Sequence, residues 1–124
     1  MLREARVTPF LATTDLVRAR AFFEGVLDLS VVSLDSFALV LATPQGPIRV
    51  TRVQELARAP YTVLGWDVPD VRATAQALSA KGVAFQRYPG MAQDELGIWA
   101  APSGSRIAWF QDPDGNVLSI AQHQ

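Results

Sequence analysis

Apolar and polar positions along the chain follow two rhythms, and the switch from one to the other happens twice. An extended apolar stretch, Val7-Thr8-Pro9-Phe10-Leu11-Ala12, leads to Asp15, after which Leu16, Ala19, Phe23, Val26 and Leu27 recur at helical spacing. Fifty-five residues on, Thr62-Val63-Leu64-Gly65-Trp66 leads to Asp70, and Val71, Thr74, Ala75 and Leu78 repeat the pattern. Asp15 and Asp70 are predicted N-caps, since a short carboxylate accepts from the unpaired amides of a first helical turn. Pro69 supports the second boundary. Gly82 is placed to end the second helix in a left-handed conformation, and the first helix is expected to stop near Leu27-Asp28, with Asp28 the weaker stop.

Each helix gives way to strand-like segments. In the first half these are 29–34, 36–42 and 47–53, with Pro44-Gln45-Gly46 making the last turn. In the second half they are 83–88, 97–101 with 105–111, and 116–122. Asp112-Pro113-Asp114-Gly115-Asn116 is a strong hairpin signal, because proline presets one turn angle and glycine and asparagine tolerate positive φ. Each half therefore reads strand, helix, three strands. The predicted class is α+β, two βαβββ modules over about 5–53 and 61–122 with a connector at 54–60, in a single domain spanning 1–124. A doubly wound parallel sheet is disfavoured because it needs a helix between most strands. An unrelated α+β domain whose helices happen to match is the bland alternative.

Composition narrows the functional classes. The 124 residues are 49% hydrophobic and 19% charged, with a net charge of −1 and no cysteine. Such a chain is long enough for one sizeable core. It carries no electrostatic footprint for nucleic acid or an anionic membrane. Without cysteine it has neither disulfides nor thiolate chemistry, which fits a reducing cytoplasm. No leader-like apolar run follows the N-terminus, and no uninterrupted run of about 18 apolar residues predicts a membrane span.

The segments 9–16 (PFLATTDL) and 21–29 (AFFEGVLDL) resemble the opening module of the vicinal oxygen chelate superfamily, which embraces glyoxalases, bleomycin resistance proteins and extradiol dioxygenases. The closing module is matched by Trp66-Asp67-Val68-Pro69-Asp70-Val71 and by Phe110-Gln111-Asp112-Pro113-Asp114-Gly115-Asn116. The resemblance covers nearly the whole chain; Asp28 departs from it, where the family usually carries glycine. It implies two modules curling into an open half-barrel with a concave, ligand-sized cavity, and commonly a homodimer. It also implies a divalent ion held by His, Glu or Gln on the first and last strands of each module. By spacing, those positions here are Thr8, Val63 and Ser119. On the first module's last strand, alternation sends Ile48 and Val50 toward the helix and leaves Arg49 and Thr51 for the cavity.

This donor set predicts no metal and no cofactor. Val63 has no donor atom, and lone hydroxyls hold a catalytic divalent ion poorly. Asp67 shares cavity parity with Val63 and is the best lone carboxylate, although it also reads as a sheet-end aspartate. The single histidine, His123, lies about 13 Å along the strand from Ser119 and is expected to be exposed and not to serve as a metal ligand. A Ser–His nucleophile is not expected, because only this terminal histidine is available. Paired carboxylates and phosphate loops do not stand out, although acid–base work by Asp67, Glu24 or Glu95 stays open.

The aromatics point further. Trp66 shares a face with Leu64 and Val68 and reads as core. Trp99 and Trp109 come from the later strands of the second module, where they would line the cavity, or else Trp109 would serve packing and Trp99 a rim or dimer contact. Phe10 reads as cavity floor or core, Arg49 as an anion partner or a solvated edge residue. The loop Pro89–Leu96 reads as a lid or a passive connection. The expected function is metal-independent binding of a partly apolar or aromatic small molecule, in a cytoplasmic homodimer with neither nucleic acid nor membrane as partner. The alternatives are a glyoxalase-, isomerase- or dioxygenase-type enzyme with atypical metal ligands, and a degenerate module serving another subunit.

Overall fold

The computed structural model describes residues 1–123 and divides into two compact units, the boundary falling between Ala57 and Arg58. The first unit runs β1 (Phe10–Thr13), α1 (Leu16–Arg20) continued by a π-helical turn (Ala21–Val26), β2 (Ser30–Leu34), β3 (Ala38–Thr43) and β4 (Gly46–Arg52). The second runs β5 (Thr62–Asp67), α2 (Val71–Ala80), β6 (Trp99–Ala100), β7 (Arg106–Gln111) and β8 (Val117–Gln122). Both sheets have the same order, β1-β4-β3-β2 and β5-β8-β7-β6, and in both the first strand lies parallel to the last. The α+β reading with two βαβββ modules holds. Among the described residues no helix is long and apolar enough to cross a membrane.

The repeat begins with its aspartates. Asp15 accepts from the Arg18 amide and Asp70 from the Ala73 amide, each at 3.0 Å. Each stands in extended backbone, with φ near −148° and −143°. Two N-caps of equal geometry start two helices at equivalent points of two modules. Beyond the cap, apolar spacing does the packing. Leu16, Ala19 and Phe23 are buried against Leu39, Leu41, Ile48 and Val50 in the first module. In the second, Val71 and Ala75 of α2 meet the face of Ala108, Phe110, Leu118 and Ile120. Among the described residues no buried side-chain nitrogen or oxygen lacks a hydrogen-bond partner, so no buried polar group there carries the cost of an unmade bond.

Several boundaries differ from expectation, each for a local reason. The strand expected at 7–12 begins only at Phe10, after Pro9, which has no N–H to give to a ladder. The strand expected from Ser36 begins at Ala38, because the Asp35 carboxylate has captured the Phe37 and Ala38 amides at 2.8 and 2.9 Å. The first helix loosens into π geometry, with the Leu27 amide bonding to the Phe22 carbonyl at 3.0 Å, and ends at Asp28 with φ of 60°. A non-glycine residue thus occupies the left-handed position that Gly82, at φ 94°, fills after α2.

The largest correction concerns 83–88, which forms no ladder strand. Two of its backbone groups, the Gln86 carbonyl and the Tyr88 amide, are held by a side chain instead. Gln93 Oε1 accepts from the Tyr88 amide at 2.8 Å, and Gln93 Nε2 donates to the Gln86 and Gly97 carbonyls at 2.8 and 2.9 Å. One backbone bond, from the Gln86 amide to the Trp109 carbonyl, links the segment to β7. The following strand, expected over 97–101, shrinks to Trp99–Ala100.

Candidate functional site

Strand alternation divides each sheet into a helix-packed face and a helix-free face, and the candidate residues fall on the second. In the first module Ile48 and Val50 are buried toward α1, while Arg49 and Thr51 between them are half-buried. Phe10 pairs with Arg49, and Arg49 in turn with Val40; Ala12 pairs with Thr51, and Thr51 with Ala38. Phe10 is 62% exposed, which removes the core alternative for its ring. Thr8 lies outside β1 and is exposed. A separate hollow of about 400 Å3 in this module, between Arg6, Val7, Pro9, Thr43, Gln45 and Gly46, contains none of the candidate positions.

The equivalent rows of the second module carry different chemistry. Gly65 pairs with Ser119, and Ser119 with Trp109; Asp67 pairs with Ala121, Ala121 with Ile107, and Ile107 with Trp99. Gly65 is required by close approach, since a Cβ there would stand 2.5 Å from Ser119 Oγ. Val63 sits at a register shift between Thr62 and Leu64, 39% exposed. Trp99 and Trp109 are both half-buried, with ring centroids 6.1 Å apart, and Tyr88 stands edge-on to Trp109 at 5.5 Å. These three half-buried rings make one aromatic cluster, a kind of surface on which a flat ligand can pack. Tyr88 was not among the sequence candidates. The segment that carries it is tied to β7 at Gln86, and the pattern 83–88 shows apolar spacing without showing that contact.

The loop after Tyr88 is tethered rather than loose. Arg87 donates to the Asp94 and Glu95 carbonyls, Arg72 of α2 is paired with the Asp94 and Glu95 carboxylates, and Asp94 Oδ1 accepts from the Leu96 and Ile98 amides. The Arg72 guanidinium beside it holds the Glu95 carboxyl below the usual range. This network favours the connection reading over the lid.

His123 is exposed, and its ring makes two contacts that the sequence reading did not anticipate: Nε2 lies 3.0 Å from Asp67 Oδ1, and Nδ1 lies 2.8 Å from Ser105 Oγ. The hairpin register explains the meeting. Arg106 pairs with Gln122, so Ser105 and His123 face one another one step further along, and β5 runs parallel to β8 with Asp67 beside Ala121. A strong turn at 112–116 makes that register readable from the sequence; the terminal position of His123 is what masked it.

The donor set does not fit a divalent ion. At the positions where the resemblance places ligands stand Thr8, Val63 and Ser119, and Arg49 occupies the first module's counterpart of Ser119, paired with Phe10 as Ser119 is with Gly65. An aliphatic side chain and a guanidinium oppose cation binding outright. No three or more His, Asp or Glu residues gather suitably among the described residues.

Comparison with known proteins agrees with the two-module fold. The sequence profile described as "Glyoxalase/Bleomycin resistance protein/Dioxygenase superfamily" matches residues 5–120. Solved structures with the same fold include a lactoylglutathione lyase from Agrobacterium tumefaciens, at TM-score 0.74 and 19% identity, covering 96% of this chain and 93% of that one. A bleomycin resistance determinant encoded on the transposon Tn5 matches at TM-score 0.70 and 17% identity, covering 95% and 97%. An integron cassette protein from the mobile metagenome of V. cholerae matches at 0.69 and 17%, covering 100% and 98%. No curated protein matches by sequence. At these identities the structures speak for the fold alone.

Proposed function

The chain belongs to the glyoxalase/bleomycin resistance protein/dioxygenase superfamily, and from that premise we propose that it is a metal-independent binding protein for a partly apolar, flat small molecule. The observation that carries this reading is the aromatic surface of Trp99, Trp109 and Tyr88 on the helix-free face of the second module. Ser119, next to Trp109 across the ladder, supplies an orienting hydroxyl, and Gly65 keeps the space around it clear. Apolar burial with a few placed polar groups is sufficient for a small-molecule site. Sequestration of an aromatic drug fits such a surface, and one structure of the same fold is named a bleomycin resistance determinant. Phe10, Arg49 and Thr51 offer a second, more polar surface on the first module. An enzyme using an ion would need donors that Val63 and Arg49 do not supply.

The test is a thermal-shift and calorimetric screen over aromatic antibiotics and flat metabolites, repeated with a chelator present. Binding should survive the chelator, and Trp109→Ala should weaken it at least tenfold, about 1.4 kcal/mol. Hits that bind the variant equally well, or that vanish with the chelator, overturn the reading. We also propose a cytoplasmic homodimer without nucleic-acid or membrane partners. Sedimentation at micromolar concentration should then give a species of twice the 13.5 kDa chain mass; a lone monomer overturns it.

A further inference from the structure

We propose that Asp67, His123 and Ser105 form a proton-transfer relay that makes the Ser105 hydroxyl a nucleophile toward activated aryl esters. This inference goes beyond ligand binding and does not rest on it. Both imidazole nitrogens are engaged, Nε2 with Asp67 at 3.0 Å and Nδ1 with Ser105 at 2.8 Å. In the tautomer that donates Nε2–H to Asp67 Oδ1, Nδ1 is left as the acceptor for the Ser105 hydroxyl proton. That is the connectivity of an acid–base–nucleophile triad with the ring nitrogens exchanged. Because neither ring nitrogen is left for a ligand, reactivity emerges at Ser105 Oγ.

The three side chains come from separate strands that the sheet brings to one end. Asp67 ends β5, His123 follows β8, and Ser105 precedes β7. Ser105 is anchored on its other side by the Ala101 amide, which donates to the Ser105 carbonyl at 2.7 Å. The relay is wet: the His123 and Asp67 side chains are 54% and 81% exposed. Water access weakens the stabilisation of an oxyanion, so the substrate class is confined to esters whose leaving group departs readily. Trp99 pairs with Ile107, two residues from Ser105 on β7, or about 7 Å at strand rise. An aryl substituent resting on Trp99 would therefore need a reach of roughly two residues along the ladder to bring its ester to the hydroxyl.

The step balances without a further reagent than water. Ser105 Oγ adds to the ester carbonyl carbon as its proton passes to His123 Nδ1. The adduct collapses, the bond to the phenolic oxygen breaks, and the phenol leaves with the proton from His123. Water then attacks the acyl-serine, loses a proton by the same route, and releases the carboxylic acid with Ser105 restored.

The test uses the whole chain in two arms. In the first, diisopropyl fluorophosphate labelling is located by mass spectrometry in wild type, Ser105→Ala, His123→Ala and Asp67→Asn. The label should sit on Ser105 and fall on the order of 100-fold in rate without His123, with circular dichroism unchanged. Asp67→Asn should fall by a similar factor. In the second, acetate esters of p-nitrophenol and of ethanol are compared; turnover should be confined to the aryl ester and lost with Ser105→Ala. Label absent from Ser105, or placed there equally fast without His123, overturns the proposal. So does aryl ester turnover unchanged in Ser105→Ala. Loss of drug binding in Trp109→Ala alone leaves both arms intact, so the two readings fail separately.

Discussion

The two modules share strand order and helix caps, yet their helix-free faces have diverged. Across the middle of the first sheet run Phe10, Arg49 and Val40; across the middle of the second run Gly65, Ser119 and Trp109. The aromatic group stands on the first strand of one module and on the third strand of the other. On the next row the first module has Ala12, Thr51 and Ala38 where the second has Asp67, Ala121 and Ile107. The cores, by contrast, are alike in kind: aliphatic strand residues under a helix, with one large buried aromatic each, Phe23 and Phe110. Burial constrains what packs under the helix. The opposite face is freer to change, and the second module has gathered rings, a carboxylate and an imidazole there.

The sharpest break of the comparison is in the core. Phe110→Ala and Phe23→Ala should each cost about 3–5 kcal/mol, measured by urea unfolding. If one proves nearly neutral, the cores are not equivalent. A smaller effect probes the segment 83–98, which the first module lacks in this form. Gln93→Ala removes three bonds to backbone and should cost about 1–3 kcal/mol. It should also raise amide exchange at Tyr88 while leaving the first module's amides unchanged. Exchange rising in both modules would sink the idea that this side chain stands in for a ladder locally.

The smallest effect concerns two turn aspartates whose titrations shift in opposite directions. Asp35, exposed at the β2–β3 turn, is lowered chiefly by the Phe37 and Ala38 amides. Its contribution to stability is present above its unfolded value and lost as pH falls through the lower folded one. Asp112 is raised because burial outweighs its bonds from Asn116 and the Asp114 amide. Its sign is reversed: the stabilising contribution is present below its unfolded value and lost as pH rises through the raised folded one. Against wild type, Asp35→Asn should flatten the loss of stability in acid, and Asp112→Asn should steepen it. Thermal melts between pH 3 and 7, a window on the order of the carboxylate range, decide this, and parallel curves for both variants refute it.

Architecture was legible because capping, apolar period and turn chemistry all agree. Asp15, Asp70, Gly82 and the 112–116 turn behave in the structure as their residue types dictate. Helix-free parity was equally legible for Arg49 and Thr51. What stayed hidden depends on side chains competing with backbone. Val83 and Phe85 keep the spacing of a strand, but Gln93 and Arg87 satisfy the neighbouring polar groups. Asp35 likewise takes amides that a longer β3 would have used. The Asp67–His123–Ser105 chain was hidden differently, because it needs three strands in register at once, and a penultimate residue offers little periodicity of its own.

The turn at Asp112–Asn116 has a consequence for how such chemistry is gained or lost. Side chains change face with every residue of slippage. One residue added to or taken from that turn would rotate Ser105 out of reach of His123 while leaving all three members of the trio in the gene. If Ser105 reacts as proposed, loop length sets that reactivity well away from the reacting atoms, and a lineage can change it without a single substitution among them.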